Sequence, residues 1–426
     1  MDEKERVANV PQPPAGLQAL YSRCRELYPD QPNPLQVTAI VKYWLGGPDP
    51  LDYISMYANA GNAAKKIPPH WHYISFGLSD LHGDGRVHEL STMPGGSSGF
   101  GFELTFRLQR EANETTPPTW PAALLQSLAK YVFQTGNRLC AGDHVSWHCA
   151  LDNSDSRLRH MLMAADPQLA SKETPFGVVD FIQVVGICAE ELQASQKWLG
   201  AGVLRMLSEI PSSGGPYLIT NMQRSQSIFE INPKAHEIVE RGFETDGSNL
   251  SGVSARCSWI EIASNIKQEK NQNIEENVKK LNVNDLQNSI TSSASNSNFD
   301  IKFEPLDQYI TQYLNGIHIT FNLEAGHLLP LAIRGRVRHG RHFTFKSILD
   351  DTAITLVAES VTDTQVTPLR PYALLGNWLQ VLIPHDLEVE MVEAFDVLSH
   401  PEKLELPKTF SWPAHRLAFT IMSDVL

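Results

Sequence analysis

No two cysteines in the sequence have the CxxC spacing of a zinc ribbon or a dithiol redox site. The five present (Cys24, Cys140, Cys149, Cys188, Cys257) are scattered and odd in number. That argues against a disulfide framework and for reduced, intracellular thiols that mostly fill cores. Long uncharged apolar runs are also missing. No stretch approaches the roughly 20 residues that span a bilayer, and the amino terminus, MDEKERVANVPQPPAG, lacks the apolar centre of a secretory signal. The expectation is a soluble chain without a standard export signal. Positive charge is scarce, with 35 Lys and Arg against 48 Asp and Glu and a net charge of -13. Broad binding to nucleic acid or anionic lipid needs dense positive charge, so proteins or small ligands are the expected partners.

Catalytic signatures are equally sparse. There is no Walker loop, dinucleotide fingerprint, GxSxG elbow or HExxH pair. The glycine-serine cluster PGGSSGFG at 94–101 leads into a strand pattern and not into the helix terminus that a phosphate loop needs.

What is present is enough apolar sequence, 42% of 426 residues, for more than one core. Leu17, Leu20, Tyr21, Cys24 and Leu27 recur at helical spacing, and a second helix is expected over LQVTAIVKYWL at 35–45. In FGFELTFRLQR, Phe100, Phe102, Leu104, Phe106 and Leu108 alternate with Glu103, Thr105, Arg107 and Gln109, predicting a half-buried strand. TPPTWPAALLQSLAKYVF reads as a helix with Pro121 in its first turn, VVDFIQVVGI as a buried strand and ELQASQKWLGAGVLRML as a further helix.

Residues 263–300, dominated by Asn, Ser, Glu, Lys and Gln, read as a flexible linker. Beyond them GIHITFNL, HLLPLAIRGRV, RHFTFKSI and AITLVAESV predict strands, with one helix over PHDLEVEMVEAFDVL. The fold class is thus α/β (α+β) with two domains: a loose terminus at 1–15, a mixed domain at 16–262, the linker, and a β-rich domain at 301–426.

Two histidine clusters invite a metal reading. His70 and His72 in PHWHY share one side of a strand, and His144 with His148, or His82 with His88, would complete a cage for a cupin-like enzyme or metal-dependent hydrolase. Against it stand the aromatic and β-branched neighbours of ordinary strands, and a total of 15 histidines that makes chance pairs common. The basic run RGRVRHGRHFTFK at 334–346 puts Arg334, Arg336 and Arg338 on one face at strand spacing, the pattern of a solvated outer face, with a phosphate or acidic-peptide site as the alternative. In AGDHVSWH, Asp143 and His144 point to opposite sides of a strand and make a poor catalytic dyad. Asp143 is either an acceptor for an incoming chain or is satisfied by its own turn after Gly142.

The stretches YPDQPNPLQVTAIVKYWLGGPDPLDYISMY, HWHYISFGLSDLHGD, GFGFELTFRLQRE, PPTWP, GDHVSWH, ETDGSNLSGVSA and RGRVRHGRHFTFKSI resemble those of the Suppressor of fused family. The resemblance covers nearly the whole chain except the amino terminus and the linker. It implies a non-enzymatic negative regulator of Hedgehog signalling, without cofactor or metal, in the cytoplasm and nucleus. It further implies binding of Gli/Cubitus interruptus zinc-finger transcription factors, whose Ser-Tyr-Gly-His segment enters as a strand between the domains, and binding of the Fused kinase. Position by position it points to Tyr131, Asp143, Glu324 and Leu328, with Val253 and Ala255 lining the slot. Leu139 stands where the family has a phenylalanine, which keeps an apolar wall and removes stacking.

Overall fold

The computed structural model describes residues 13–90, 95–262, 310–399 and 404–423. The chain forms two compact units that meet between Asn249 and Leu250.

The first unit is built on an eight-stranded mixed sheet: β1 (Leu35–Thr38), β2 (Tyr53–Asn59), β3 (His70–Phe76), β4 (Ser97–Gln109), β5 (His144–Ser146), β6 (His160–Ala165), β7 (Lys172–Thr174) and β8 (Gly177–Ile187). Its order is β1-β2-β3-β4-β8-β6-β5, with β7 hairpinned onto β8 and a parallel pair only at β4–β8. β1 and β5 are therefore its two edges. Helix α1 (Ala15–Leu27) packs with Tyr57, Ile74, Phe76, Val179 and Phe181, and α2 (Trp120–Thr135) covers Phe102, Leu104, Phe106 and Leu108. Helices α3 (Ala189–Lys197), α4 (Gly200–Glu209), α5 (Ile228–Ile231) and α6 (Ala235–Asp246) complete the unit.

Three expectations change here. Segment 35–45 is not a helix; its β-branched residues give the short β1, followed by a single 3-10 turn at Tyr43–Leu45. The long helix at 191–207 is two, broken at Trp198–Leu199, where Leu199 is extended and the Trp198 carbonyl turns aside to accept from the Asn249 N–H. β4 is buried on both faces, with Glu103, Thr105 and Arg107 all at 0% exposure. Periodicity shows which residues are polar, but helices packed on both faces of the sheet leave no solvated side.

The second unit holds a four-stranded and a six-stranded sheet. Its strands are β9 (Gly252–Ala255), β10 (Cys257–Glu261), β11 (Gln312–Tyr313), β12 (Ile317–Asn322), β13 (Phe343–Ser347), β14 (Ala353–Ala358), β15 (Tyr372–Leu375), β16 (Trp378–Ile383), β17 (Lys408–Trp412) and β18 (Leu417–Met422). The sheets run β10-β12-β18-β17 and β11-β15-β16-β14-β13-β9. Both line one core, where Phe321, Phe345, Phe395, Phe410, Trp412 and Phe419 pack in offset and edge-on pairs. Helix α8 (His385–Phe395) buries Leu387, Met391 and Phe395 in it, following the four-residue α7 (Leu323–Gly326).

β9 and β10, expected at the end of the first domain, pair instead with β13 and β12 of the second. The expected strand through 331–338 is a π-type turn at Leu331–Arg336 and a 3-10 turn at Val337–His339, begun by the helical Pro330. Arg336 is consequently 8% exposed and not on a solvated face, its Nε donating to the His342 carbonyl at 3.0 Å. The expected linker at 263–300 and residues 1–12 of the loose terminus lie outside the described residues.

Candidate functional site

Within the first unit the site residues gather around one connection. Helix α2 ends at Gly136, and the loop from Asn137 leads through Leu139 to β5. Tyr131, in the last turn of α2 and exposed, accepts through its hydroxyl from the Asn137 side-chain amide at 3.0 Å. Leu139 is 6% exposed and belongs to the core beneath α2. With its neighbours Cys140 and Ala141 it lines an open cleft of about 490 Å³, together with Phe102 and Phe181.

Asp143 closes a tight turn: its N–H donates to the Cys140 carbonyl at 3.0 Å, and Gly142 at the third position has φ 99°. A type II turn requires that left-handed conformation, which glycine adopts without penalty. Both the Gly142 N–H and the Asp143 carbonyl then bond the backbone of Met163, a bulge that ends the ladder with β6. The Asp143 carboxylate is exposed and uses Oδ2 to accept from the Cys140 N–H at 2.7 Å. Its Oδ1 has no hydrogen-bond partner among the described residues. The turn satisfies one carboxylate oxygen, as the turn alternative expects, and leaves the other available. His144 points back toward Gln196, and burial lowers its pKa against the opposing pull of Asp143.

In the second unit Val253 and Ala255 lie on β9, the edge of the six-stranded sheet, with Ala255 5% exposed. Glu324 is exposed in α7, and Leu328 packs against the core just after it. Asn322 caps α7 by accepting from the Ala325 N–H at 3.1 Å, while its own N–H donates to the Arg256 carbonyl, also at 3.1 Å. That bond ties the end of β9 to the start of the glutamate's helix. Sequence reasoning missed Asn137, Gly142 and Asn322, which position the named residues. Only the Gly-Asp and Asn-x-x-Ala spacings carried a signal for them.

The metal-enzyme alternative does not assemble. His70 and His72 do share one side of β3, but three strands separate β3 from His144 on β5, roughly 19 Å at ordinary strand spacing. Both ring nitrogens of His72 are occupied, Nδ1 by the Tyr28 hydroxyl at 2.9 Å and Nε2 by Asp166 at 3.2 Å. Among the described residues no three His, Cys, Asp or Glu side chains are placed to hold one ion.

His72 belongs instead to a buried charge network. Arg107 donates to both oxygens of Asp166, at 2.6 and 3.0 Å, and Thr105 donates to it at 2.7 Å. Burial opposes ionisation of Asp166, yet Arg107 and His72 hold its carboxyl well below the usual range. Burial also lowers the imidazoles, His72 to about 4 and His70 to about 3, so both are neutral near pH 7.

Comparison with known proteins accounts for both units. Residues 47–225 match the family described as Suppressor of fused protein, and residues 237–421 match the one described as Suppressor of Fused Gli/Ci N terminal binding domain. The Suppressor of fused homolog of Mus musculus is 50% identical over 96% of this chain and 92% of its own length, and that of Homo sapiens 49% identical over the same shares. A crystal structure of Drosophila Suppressor of Fused superposes with a TM-score of 0.81 at 43% identity, covering 96% of this chain and 97% of that one. A chain from the crystal structure of the Sufu-Fu complex covers 54% of this chain and 98% of its own, at 50% identity and a TM-score of 0.52. With both family matches in place and half its residues shared with full-length relatives, the chain belongs to the Suppressor of fused family.

Proposed function

We propose that this chain is a non-enzymatic negative regulator of Hedgehog signalling. It binds Gli/Cubitus interruptus transcription factors by taking a Ser-Tyr-Gly-His segment as an added β-strand between its two units. The observation that carries this reading is the position of the candidate residues on or beside sheet edges: Asp143 at β5, and Val253 and Ala255 on β9. An edge strand offers unpaired backbone groups to an incoming chain, and alternate side chains supply selectivity.

Asp143 and Glu324, one from each unit, supply carboxylates for the ligand histidine, each charge-assisted bond contributing roughly 1.5 to 3 kcal/mol. Tyr131, Leu139 and Leu328 provide the apolar wall. The description of the matching second-unit family as a Gli/Ci binding domain supports the same partner. Holding the factor restrains its nuclear entry in the cytoplasm and its transcriptional activity in the nucleus. Fused kinase is a second partner, supported by the relative solved as a Sufu-Fu complex.

The test is calorimetric titration of a Ser-Tyr-Gly-His peptide into the chain and its Asp143→Arg variant. Binding lost in a variant that still unfolds cooperatively supports the slot; equal binding by both removes Asp143 from it.

A further inference from the structure

We infer that the open edge of β1 and the apolar turn that follows it form the docking surface for Fused kinase, taken as an extended segment with apolar side chains. This rests on the reading of Fused as a partner, and assigns it a place separate from the transcription-factor slot at β5 and β9.

Seven large hydrophobic residues of the first unit stand exposed among the described residues, and five of them fall in one stretch of eleven: Leu35 (56%), Ile40 (101%), Val41 (46%), Tyr43 (37%) and Leu45 (70%). A monomer scatters such residues; a cluster marks a contact surface. Between Gln31 and Pro48 the only charged residue is Lys42, whose ammonium sits 3.6 Å from Asp52 and 3.8 Å from the centre of the Tyr53 ring. Edge strands are normally guarded by exposed charge, proline or a bulge, and β1 has none of the three.

Backbone groups are available as well. The Ala39 N–H donates to Asp52, so by antiparallel alternation Leu35 and Val37 bond β2, while the N–H and C=O of Gln36 and Thr38 point to the open side. At the start of β1 an open cleft of about 490 Å³, lined by Leu35, Met56, Ala58 and Trp71, can receive one side chain of the added strand. At the other end stand Ile40 and Leu45.

The choice of occupant follows from the Sufu-Fu relative. It covers 54% of this chain, more than the 177 residues of the second unit could supply and close to the 249 of the first. A surface for Fu is therefore sought on the first unit, where this edge holds five of the seven exposed large hydrophobics among the described residues.

Purified full-length Fused kinase would be titrated into the full chain, into Ile40→Glu/Leu45→Glu, and into Thr38→Pro, which removes an outward N–H while leaving the β1–β2 bonds. Ser-Tyr-Gly-His peptide binding and melting temperature are read in parallel. The expected result is at least a tenfold loss of Fused affinity in both variants, with peptide affinity and melting temperature unchanged. Unchanged Fused affinity in the variants, or no Fused binding by the wild-type chain, overturns the proposal; the peptide titration shows whether the slot at β5 and β9 stands regardless. Concentration-dependent dimerisation abolished by the same variants without effect on Fused would also overturn it, assigning the edge to a second copy.

Discussion

Gly200 opens α4 with its Cα pressed against the carbonyl of Gly142, so closely that a Cβ there would overlap the oxygen. The helix thus buttresses the turn that presents Asp143. Gly200→Ala is expected to displace that turn, lowering stability by about 1 to 3 kcal/mol, the usual cost of overpacking. Peptide affinity should fall more than tenfold. Calorimetry with thermal melting checks both, and unaltered affinity in the folded variant would mean the turn tolerates the shift.

The turn-holding role of Asp143 and its proposed role in peptide binding can be separated by substitution. Asp143→Asn keeps an oxygen to accept from the Cys140 N–H and loses the charge, so stability should hold while peptide affinity falls by roughly 1.5 to 3 kcal/mol. Asp143→Ala loses both and should additionally lower stability by about 1 kcal/mol. Denaturant midpoints and titration of the two variants tell the roles apart.

Removing Arg107 takes from buried Asp166 its guanidinium partner and leaves it His72, the Thr105 hydroxyl and the backbone N–H groups of Gln168 and Leu169. Arg107→Met should cost about 3 to 5 kcal/mol in urea unfolding. The pairing to both carboxylate oxygens also predicts that Arg107→Lys recovers only part of it. Full recovery by lysine would show that charge alone suffices.

Acidification should destabilise the first unit. The folded-state pKa values of His72 (about 4) and His70 (about 3) lie below the ordinary 6.5, so the unfolded chain takes up protons first. Stability from these two groups is present above pH 6.5 and is lost as pH falls toward 4. Glu103 acts in the opposite sense: burial raises it to about 7, against hydrogen bonds from Ser75, Ser79 and the Gly77 N–H, so its contribution grows as pH falls from 7 to 4.5. These three groups together give a slope near pH 5.5 of about one proton, or 1.4 kcal/mol per pH unit, and His88, His144 and His160, also lowered by burial, add to it in the same sense. Glu103→Gln should steepen the loss by about one proton, read from urea midpoints between pH 7 and 4.5; an unchanged slope would show that Glu103 does not titrate there.

Local pattern was legible where one face of an element meets a core: the alternation from Phe100 to Leu108, the Pro121 start of α2, the helix over 385–395. It failed where partners are distant in sequence. Arg107 and Glu103 look like solvent-facing residues until Asp166 and the Tyr217 ring close over the first and the Gly77–Ser79 segment donates to the second, and Arg336 looks exposed until Pro330 turns the backbone helical. The candidate site residues came from family resemblance more than from chemistry, because no spacing in AGDHVSWH states that β5 is a sheet edge. That property depends on the order β4-β8-β6-β5, set by pairings up to 81 residues apart.

The pairing of β9 and β10 with strands far along the chain changes what the Asn- and Ser-rich segment at 263–300 connects. It joins β10 to β11, two strands of one unit, and the covalent passage between the units is the few residues from Asn249 to Gly252. The segment thus connects two strands of one unit and not the two units to each other. Doubling its length should cost that unit only about 0.6 kcal/mol of closure entropy. A protease cutting within it would yield two fragments that stay together through the five-residue ladder from Cys257–Phe321 to Glu261–Ile317, so that the nicked protein migrates as one particle until denatured.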